Sequence, residues 1–336
     1  MTIVYIENEK RKHKLLPLLA DHNVKLVRSI VDVISCKRAD AVLIDSFGRY
    51  ALKGILTSIV LWAPLVVRPR GNVVRQKRNA IRASETVSHK LRLAVGLWSM
   101  YIAFFFCQAI IYNSQHTKKK LKKFVWSTTY SEVVYNPLTT DSIGSSSELS
   151  LPNGSLNIIT ATNMGFWPKI KPTIIAMCDW LPTSLWNRLG LNWAVLGSGK
   201  YFGTLEKEVQ STSHSNRIFI EGWVDNPHIY YDWADIMVHF TTLDAFPNVT
   251  MEAMYHSLPI ITNANSGGTR EQVYHGKNGH VVETQEETVR AIYRYYYYPH
   301  LIKYHGTTGR RMVLSRWTPD SQKEVMNRLL EQIEQS

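Results

Sequence analysis

The feature that most constrains this chain is an alternation of short apolar runs with helical patterns, interrupted once and then resumed. Ile3-Val4-Tyr5-Ile6, Ala41-Val42-Leu43-Ile44-Asp45, Leu65-Val66-Val67, Ala109-Ile110-Ile111-Tyr112 and Val133-Val134-Tyr135 each read as a strand. Such runs, separated by helical segments, indicate a parallel sheet with crossover helices. The run Thr139-Thr140-Asp141-Ser142-Ile143-Gly144-Ser145-Ser146-Ser147 and then Pro152-Asn153-Gly154-Ser155 break the pattern with linker composition. It restarts at Leu156–Thr160 and continues through Trp193–Gly197, Arg217–Ile220, Ile236–His239 and Pro259–Thr262. The expectation is an α/β chain of two Rossmann-like domains facing each other across a cleft. The first covers 1–138, a linker covers 139–155, the second covers 156–310, and a C-terminal helix over 311–336 crosses back to the first. A length of 336 residues is ample for two buried cores.

Composition narrows the class. Hydrophobic residues make up 45% and charged residues 20%, which excludes wholesale disorder. Three scattered cysteines, Cys36, Cys107 and Cys178, give neither a disulfide framework nor a zinc site. Met1–Ile6 leads straight into Glu7, Asn8, Glu9 and a basic run, so no signal peptide is read and a cytoplasmic location is expected. Charge is uneven: residues 1–136 hold 23 Lys/Arg against 8 Asp/Glu, a net +15, whereas 137–336 hold 16 against 19, a net −3. A basic half points to an anionic partner: lipid head groups, a lipid-phosphate acceptor or nucleic acid. Nucleic acid is disfavoured, because only Phe124 and Trp126 follow the lysine run at 118–123. That run reads either as a solvated helix face or as a contact for anionic lipid.

Leu93–Tyr112 has no formally charged residue and barely reaches a membrane-spanning length. The α/β alternation claims Ala109–Tyr112 as a strand, which leaves one helix over about 87–106. Flanked by Arg82, Lys90 and Arg92, that helix can lie at a bilayer surface, with Leu97, Trp98, Tyr101, Phe104 and Phe105 as its apolar contribution.

The chemistry concentrates in Asp244-Ala245-Phe246-Pro247-Asn248-Val249-Thr250-Met251-Glu252. The segment follows a strand and opens a helix, a place where backbone N–H groups face an anion. Two carboxylates, Asp244 in the turn and Glu252 in the helix, can accept hydrogen bonds from vicinal hydroxyls. The same two residues also fit an ordinary helix cap and a first-turn acid. The histidines form no metal-ligand spacing, and there is no Asp-x-Asp, Ser-His-Asp arrangement or Walker loop, so no metal site is expected.

This spacing resembles the E-x7-E motif of family 4 glycosyltransferases, which have the GT-B fold. Glu221-Gly222-Trp223-Val224-Asp225, Ser266-Gly267-Gly268-Thr269-Arg270-Glu271 and Gly276-Lys277-Asn278-Gly279 resemble the family's glycine turn, Gly-Gly-x-x-Glu turn and closing hairpin. Asn136-Pro137 resembles the end of its first domain. The resemblance implies a retaining glycosyltransferase that moves a sugar from a nucleotide-diphosphate sugar to a glycan or lipid-linked acceptor, with no cofactor beyond that co-substrate. It assigns the donor's ribose to Glu252, the sugar hydroxyls to Asp244 and the diphosphate to Lys169. The backbone of Phe246, Pro247, Asn248 and Val249 would meet sugar and diphosphate, and Gly197 and Val224 would lie on the donor side. Asp244 replaces the usual Glu, and Asn163 stands in the place of an Arg, so Lys171 or Arg70 is expected to compensate. Arg70 and Gly71, at the end of a first-domain strand, are expected on the acceptor or phosphate side. A nucleotide-sugar epimerase of the same fold, or an inactive membrane-surface scaffold, are the alternatives. Asn153-Gly154-Ser155 and Asn248-Val249-Thr250 match the N-glycosylation pattern, and a glycan on Asn248 would block the donor loop.

Overall fold

A computed structural model of the chain describes residues 1–6, 15–28, 30–45, 47, 49–71, 73–126, 130–138 and 149–335. The chain divides into two compact units, Met1–Pro137 with Pro319–Ser336, and Leu138–Thr318. Most of the sequence-defined linker, 139–148, lies outside the described residues, as do Ser46, Gly48 and Asn72.

The first unit is a parallel sheet of strands β1 (Thr2–Ile6), β2 (Asn23–Val27), β3 (Ala41–Ile44), β4 (Leu65–Val67), β5 (Ala109–Tyr112) and β6 (Tyr130–Val133), in the order β2-β1-β3-β4-β5-β6. Its helices are α1 (Ile30–Ser35), α2 (Arg49–Leu61), α3 (Val73–Ala83), α4 (Val87–Phe106) and α5 (Gln115–Leu121). Alternate residues of the central strands feed two cores: Val4, Val42, Val67 and Ile110 pack with Met100 and Phe104, while Ile3, Leu43, Val66 and Ile111 pack on the other face. Both faces being covered is what a parallel sheet requires. Ser114 caps α5, its hydroxyl accepting from the Thr117 N–H.

The second unit repeats the plan with β7 (Leu156–Ala161), β8 (Leu191–Leu196), β9 (Ile218–Gly222), β10 (Ile236–Val238), β11 (Ile260–Asn263) and β12 (Gly279–Val282), in the order β12-β11-β10-β7-β8-β9. Its helices are α6 (Trp167–Ile174), α7 (Thr183–Arg188), α8 (Phe202–Gln210), α9 (His228–Trp233), α10 (Asn248–Tyr255), α11 (Gln285–Tyr297) and α12 (His300–Arg316). The last helix, α13 (Pro319–Glu334), starts later than the boundary drawn from the sequence at 311, because α12 runs unbroken through Arg316. Met326, Leu329, Leu330 and Ile333 of α13 complete the first unit's second core.

Three local readings change. β2 has no counterpart among the strands read from the sequence. β6 lies at Tyr130–Val133, earlier than Val133–Tyr135. Gly276–Gly279 does not close a hairpin: Gly276 N–H bonds Gly279 O across a turn, and β12 then runs parallel to β11. Among the described residues, no helix is long and apolar enough to cross a membrane.

Candidate active site

In an open parallel sheet, ligands sit beyond the carboxyl ends of the strands where the strand order reverses. In the second unit the chain builds outward from β7 in both directions, so that point lies between β7 and β10. Lys169 lies in the first turn of α6, which follows β7, and Asp244 in the loop that leaves β10. The Lys169 ammonium donates to Asp244 Oδ1 at 2.5 Å, and His239 Nε2 faces Oδ2 at 3.4 Å. At 3.4 Å the histidine contact is one of charge and dipole rather than a formed hydrogen bond. Burial pushes the Asp244 carboxyl up, but the His239 ring and the Lys169 ammonium outweigh it and hold the group below the usual carboxylate range. The cap reading of Asp244 is overturned. The residue before α10 is Pro247, and no side chain caps the helix.

The start of α10 is fixed from below. Gln272 Nε2 donates to Pro247 O at 2.9 Å, and the Thr250 hydroxyl, with its single proton, lies within donating distance of both Pro247 O and Gln272 Oε1. Asp244 O accepts from Gly268 N–H at 2.8 Å, and a Cβ on Gly268 would stand 1.5 Å from Ala245 O. The Gly-Gly turn is thus needed for close backbone approach. Phe246 and Pro247 are buried, Phe246 edge-on to Trp317, while Asn248 and Val249 are half-buried at the helix start. Glu252, half-buried on α10, accepts from the hydroxyl of fully buried Tyr231 at 3.1 Å. Burial first, and the Glu252 carboxylate second, raise the Tyr231 phenol well above its ordinary range, so it stays a donor.

On the other side of β7, two loops interlock. Thr162 N–H bonds Leu196 O and Met164 N–H bonds Ser198 O, both at 3.0 Å, and Gly197 N–H bonds Gly222 O at 2.6 Å. Gly197 has φ +125°, and a Cβ there would lie 1.9 Å from Thr162 O. Gly197 and the β9 turn carrying half-buried Val224 therefore meet at this end of the sheet. Asn163 is exposed, and its side chain accepts from Gly165 N–H in a local turn.

The two expected replacements for the missing arginine each have a described setting within their own unit. Lys171 lines a cavity of about 630 Å³ with Pro168, Trp180, Phe240 and Thr242. Arg70, in the first unit, is paired with the buried carboxylate of Asp45. It follows β4 beside Gly71, whose φ is +86°. Its neighbour Arg68 is fully buried, donates to Asn136 Oδ1 at 2.9 Å, and is lowered to about 10, mainly by burial and then by Arg70. Among the described residues, no group of three or more His, Cys, Asp or Glu side chains is arranged to hold a metal ion. Sequence reasoning assigned no role to Tyr231, Thr250 or Gln272, whose part in the site is a set of buried hydrogen bonds.

The arrangement presents an ionised carboxylate, an ammonium, a helix N-terminus and a second oriented carboxylate at the carboxyl ends of a parallel sheet. Residues 183–301 match the family model described as Glycosyl transferases group 1. The chain is 32% identical over 89 residues to the poly(glycerol-phosphate) alpha-glucosyltransferase of Bacillus subtilis strain 168, covering 26% of this chain and 13% of that protein. It is 24% identical over 226 residues to the ORF31 protein of a virus, isolate Australia/Victoria, which is named as a glycosyltransferase, covering 67% of this chain and 65% of that one. The chain thus spans less than two thirds of the length of either relative. Anabaena HepE, solved with UDP-glucose, superimposes with a TM-score of 0.73 at 16% identity, over 99% of this chain and 100% of that one. None of these similarities is to an epimerase. The second unit thus carries the segment that matches the group 1 glycosyl transferases, in a chain with the two-domain Rossmann-like α/β fold.

Proposed function

We propose that this protein is a retaining, metal-independent glycosyltransferase that moves a sugar from a nucleotide-diphosphate donor to a glycan or lipid-linked acceptor at an anionic membrane surface in the cytoplasm. The observation that carries the reading is the Lys169–Asp244 pair at the switch point between β7 and β10, which joins the first turn of α6 to the loop that leads into α10. As the nucleotide leaves, positive charge develops at the sugar's anomeric carbon and negative charge on the diphosphate. Lys169 and the N–H groups at the start of α10 stabilise the leaving group without a metal. Asp244 orients sugar hydroxyls, and Glu252, aimed by Tyr231, accepts from the ribose hydroxyls. The donor phosphate assists removal of the acceptor proton, so no protein base is assigned. In this reading Asn163 and Val224 serve the donor, and Arg70 and Gly71 the acceptor or phosphate side.

UDP-glucose is the first donor to test, because HepE holds it, and poly(glycerol phosphate) the first acceptor, because a relative is named for it. The assay follows UDP release and product formation with and without EDTA, and reads the anomer by NMR. Retained configuration and full activity in EDTA are expected. An inverted product, or activity lost on chelation and restored by manganese, overturns the retaining or the metal-independent part respectively.

A further inference from the structure

Helices α2 and α4 pack on each other in the first unit, and each turns an apolar stripe outward. On α4 the exposed residues are Val87, Leu91, Val95, Trp98, Ile102 and Phe105, spaced three or four apart, while Gly96, Ser99, Met100, Ala103 and Phe104 face the core. On α2 they are Leu52, Leu56, Ile59 and Val60, and Trp62 just beyond the helix is 95% exposed. Amphipathic helices of a globular domain turn such stripes inward. Phe104, expected at the membrane from the sequence, is instead fully buried, and Trp98 and Phe105 carry the outward stripe.

The helix packed on α4 from its other flank, α3, borders a cationic groove. Arg75, Arg78, Arg82, Lys120 and Lys123 line it with Phe124, in a volume of about 440 Å³, and no carboxylate is among its lining residues. Arg78 also donates to the Tyr101 hydroxyl of α4 at 3.0 Å, which ties the groove to the apolar helix. Between residues 46 and 131 the sequence has 15 Lys/Arg and one acid, Glu85.

We propose that this face is a membrane-docking surface, in which the α2–α4 stripes enter the interfacial region of an anionic bilayer and the α3–α5 groove holds lipid phosphates. This deepens the membrane part of the proposed function and rests on that reading; the donor chemistry does not depend on it. Charge complementarity selects the occupant. A second copy of this chain would bring like charges together around the same apolar surface, which is unfavourable. A soluble polyanion would fill the groove and leave the stripes in water. An anionic bilayer satisfies both, with apolar residues below the head groups and cations among them.

The test is cosedimentation with phosphatidylcholine vesicles, with and without phosphatidylglycerol, together with quenching of tryptophan fluorescence by brominated phospholipid. Binding to the anionic vesicles and quenching are expected, with little binding to neutral ones. Trp62→Phe with Trp98→Phe should remove most of the quenching and keep binding. Leu56→Ser with Phe105→Ser should weaken binding, and Arg75→Glu with Arg78→Glu and Lys123→Glu should lower vesicle partition roughly hundredfold or more. All are exposed positions, so circular dichroism should be unchanged, and UDP release from UDP-glucose in detergent-free buffer should match the parent. No binding to anionic vesicles at low salt overturns the proposal. So does binding without quenching that soluble poly(glycerol phosphate) abolishes, which would make the groove a polyanion site alone. A dimer in sedimentation analysis that Leu56→Ser with Phe105→Ser converts to monomer overturns it too, assigning the face to self-association. Loss of UDP release in the parent protein, with vesicle binding intact, would count against the glycosyltransferase reading and leave the docking surface standing.

Discussion

The Lys169 ammonium and the Asp244 carboxylate meet at 2.5 Å although 75 residues separate them, and only 11% of the aspartate side chain reaches solvent. Removing the lysine leaves a nearly buried carboxylate that, among the described residues, faces the His239 ring at 3.4 Å. Lys169→Met should therefore cost about 3 kcal/mol of stability, the low end for a broken buried pair. Asp244→Asn should cost less, because the lysine side chain is a quarter exposed and can hydrate. Urea unfolding of the two variants checks the order. Equal losses would mean that His239 alone satisfies Asp244.

The same carboxylate links stability to acid. Its folded pKa is depressed, so the unfolded chain takes up the proton first as pH falls. The stabilisation is fully present above the unfolded aspartate value, about 3.9, and drains away below it as pH falls toward the folded value. Asp244→Asn should flatten the acid limb of a stability curve taken from neutral pH downward. A parallel curve would show that other carboxylates set that limb.

Much of the frame was legible because β3 and β5 are apolar throughout, as strands buried on both faces must be. The helix over Val87–Phe106 was legible too, bounded by the strand that follows it. β2 was not: Asn23-Val24-Lys25-Leu26-Val27 is an edge strand with mixed exposure, and an edge supplies no continuous apolar run. β6 slipped because the sequence is most apolar at Val133–Tyr135, past the half-exposed residues that pair with β5. In the site, the motif gave Asp244 and Glu252, but it gave no role to Gln272 or Tyr231. Their importance comes from hydrogen bonds between segments distant in sequence. Arg70 illustrates the same point: its place after β4 is legible, whereas its ion pair with Asp45 at the end of β3 joins segments that no motif links.

Gly268 tests the backbone contact under the donor loop. A Cβ there would collide with Ala245 O at 1.5 Å, and backbone cannot swing aside as a flexible side chain can. Gly268→Ala should lower stability by about 1–3 kcal/mol or more and shift the Asp244–Pro247 segment. Thermal unfolding reports the first effect, and loss of UDP-glucose binding by calorimetry the second. Wild-type stability in this variant would show that the two loops are not in contact in solution.

Tyr231 and Glu252 separate aiming from contact. If Glu252 accepts from the ribose hydroxyls, Glu252→Gln loses a charge-assisted bond, and donor binding should weaken by about 1.5–3 kcal/mol. Tyr231→Phe removes only the hydroxyl that orients the carboxylate, at 3.1 Å, from a ring that is otherwise fully buried. Its cost to donor binding should be near 1 kcal/mol, the worth of about one neutral hydrogen bond. The double variant decides between the roles. If Tyr231 acts through Glu252, adding Tyr231→Phe to Glu252→Gln should cost less than it does alone, because the group it aims no longer carries the charge. Calorimetry with UDP-glucose measures all three. Additive losses would mean that Tyr231 affects the donor independently of Glu252, and unchanged affinity in Glu252→Gln would remove the ribose assignment altogether.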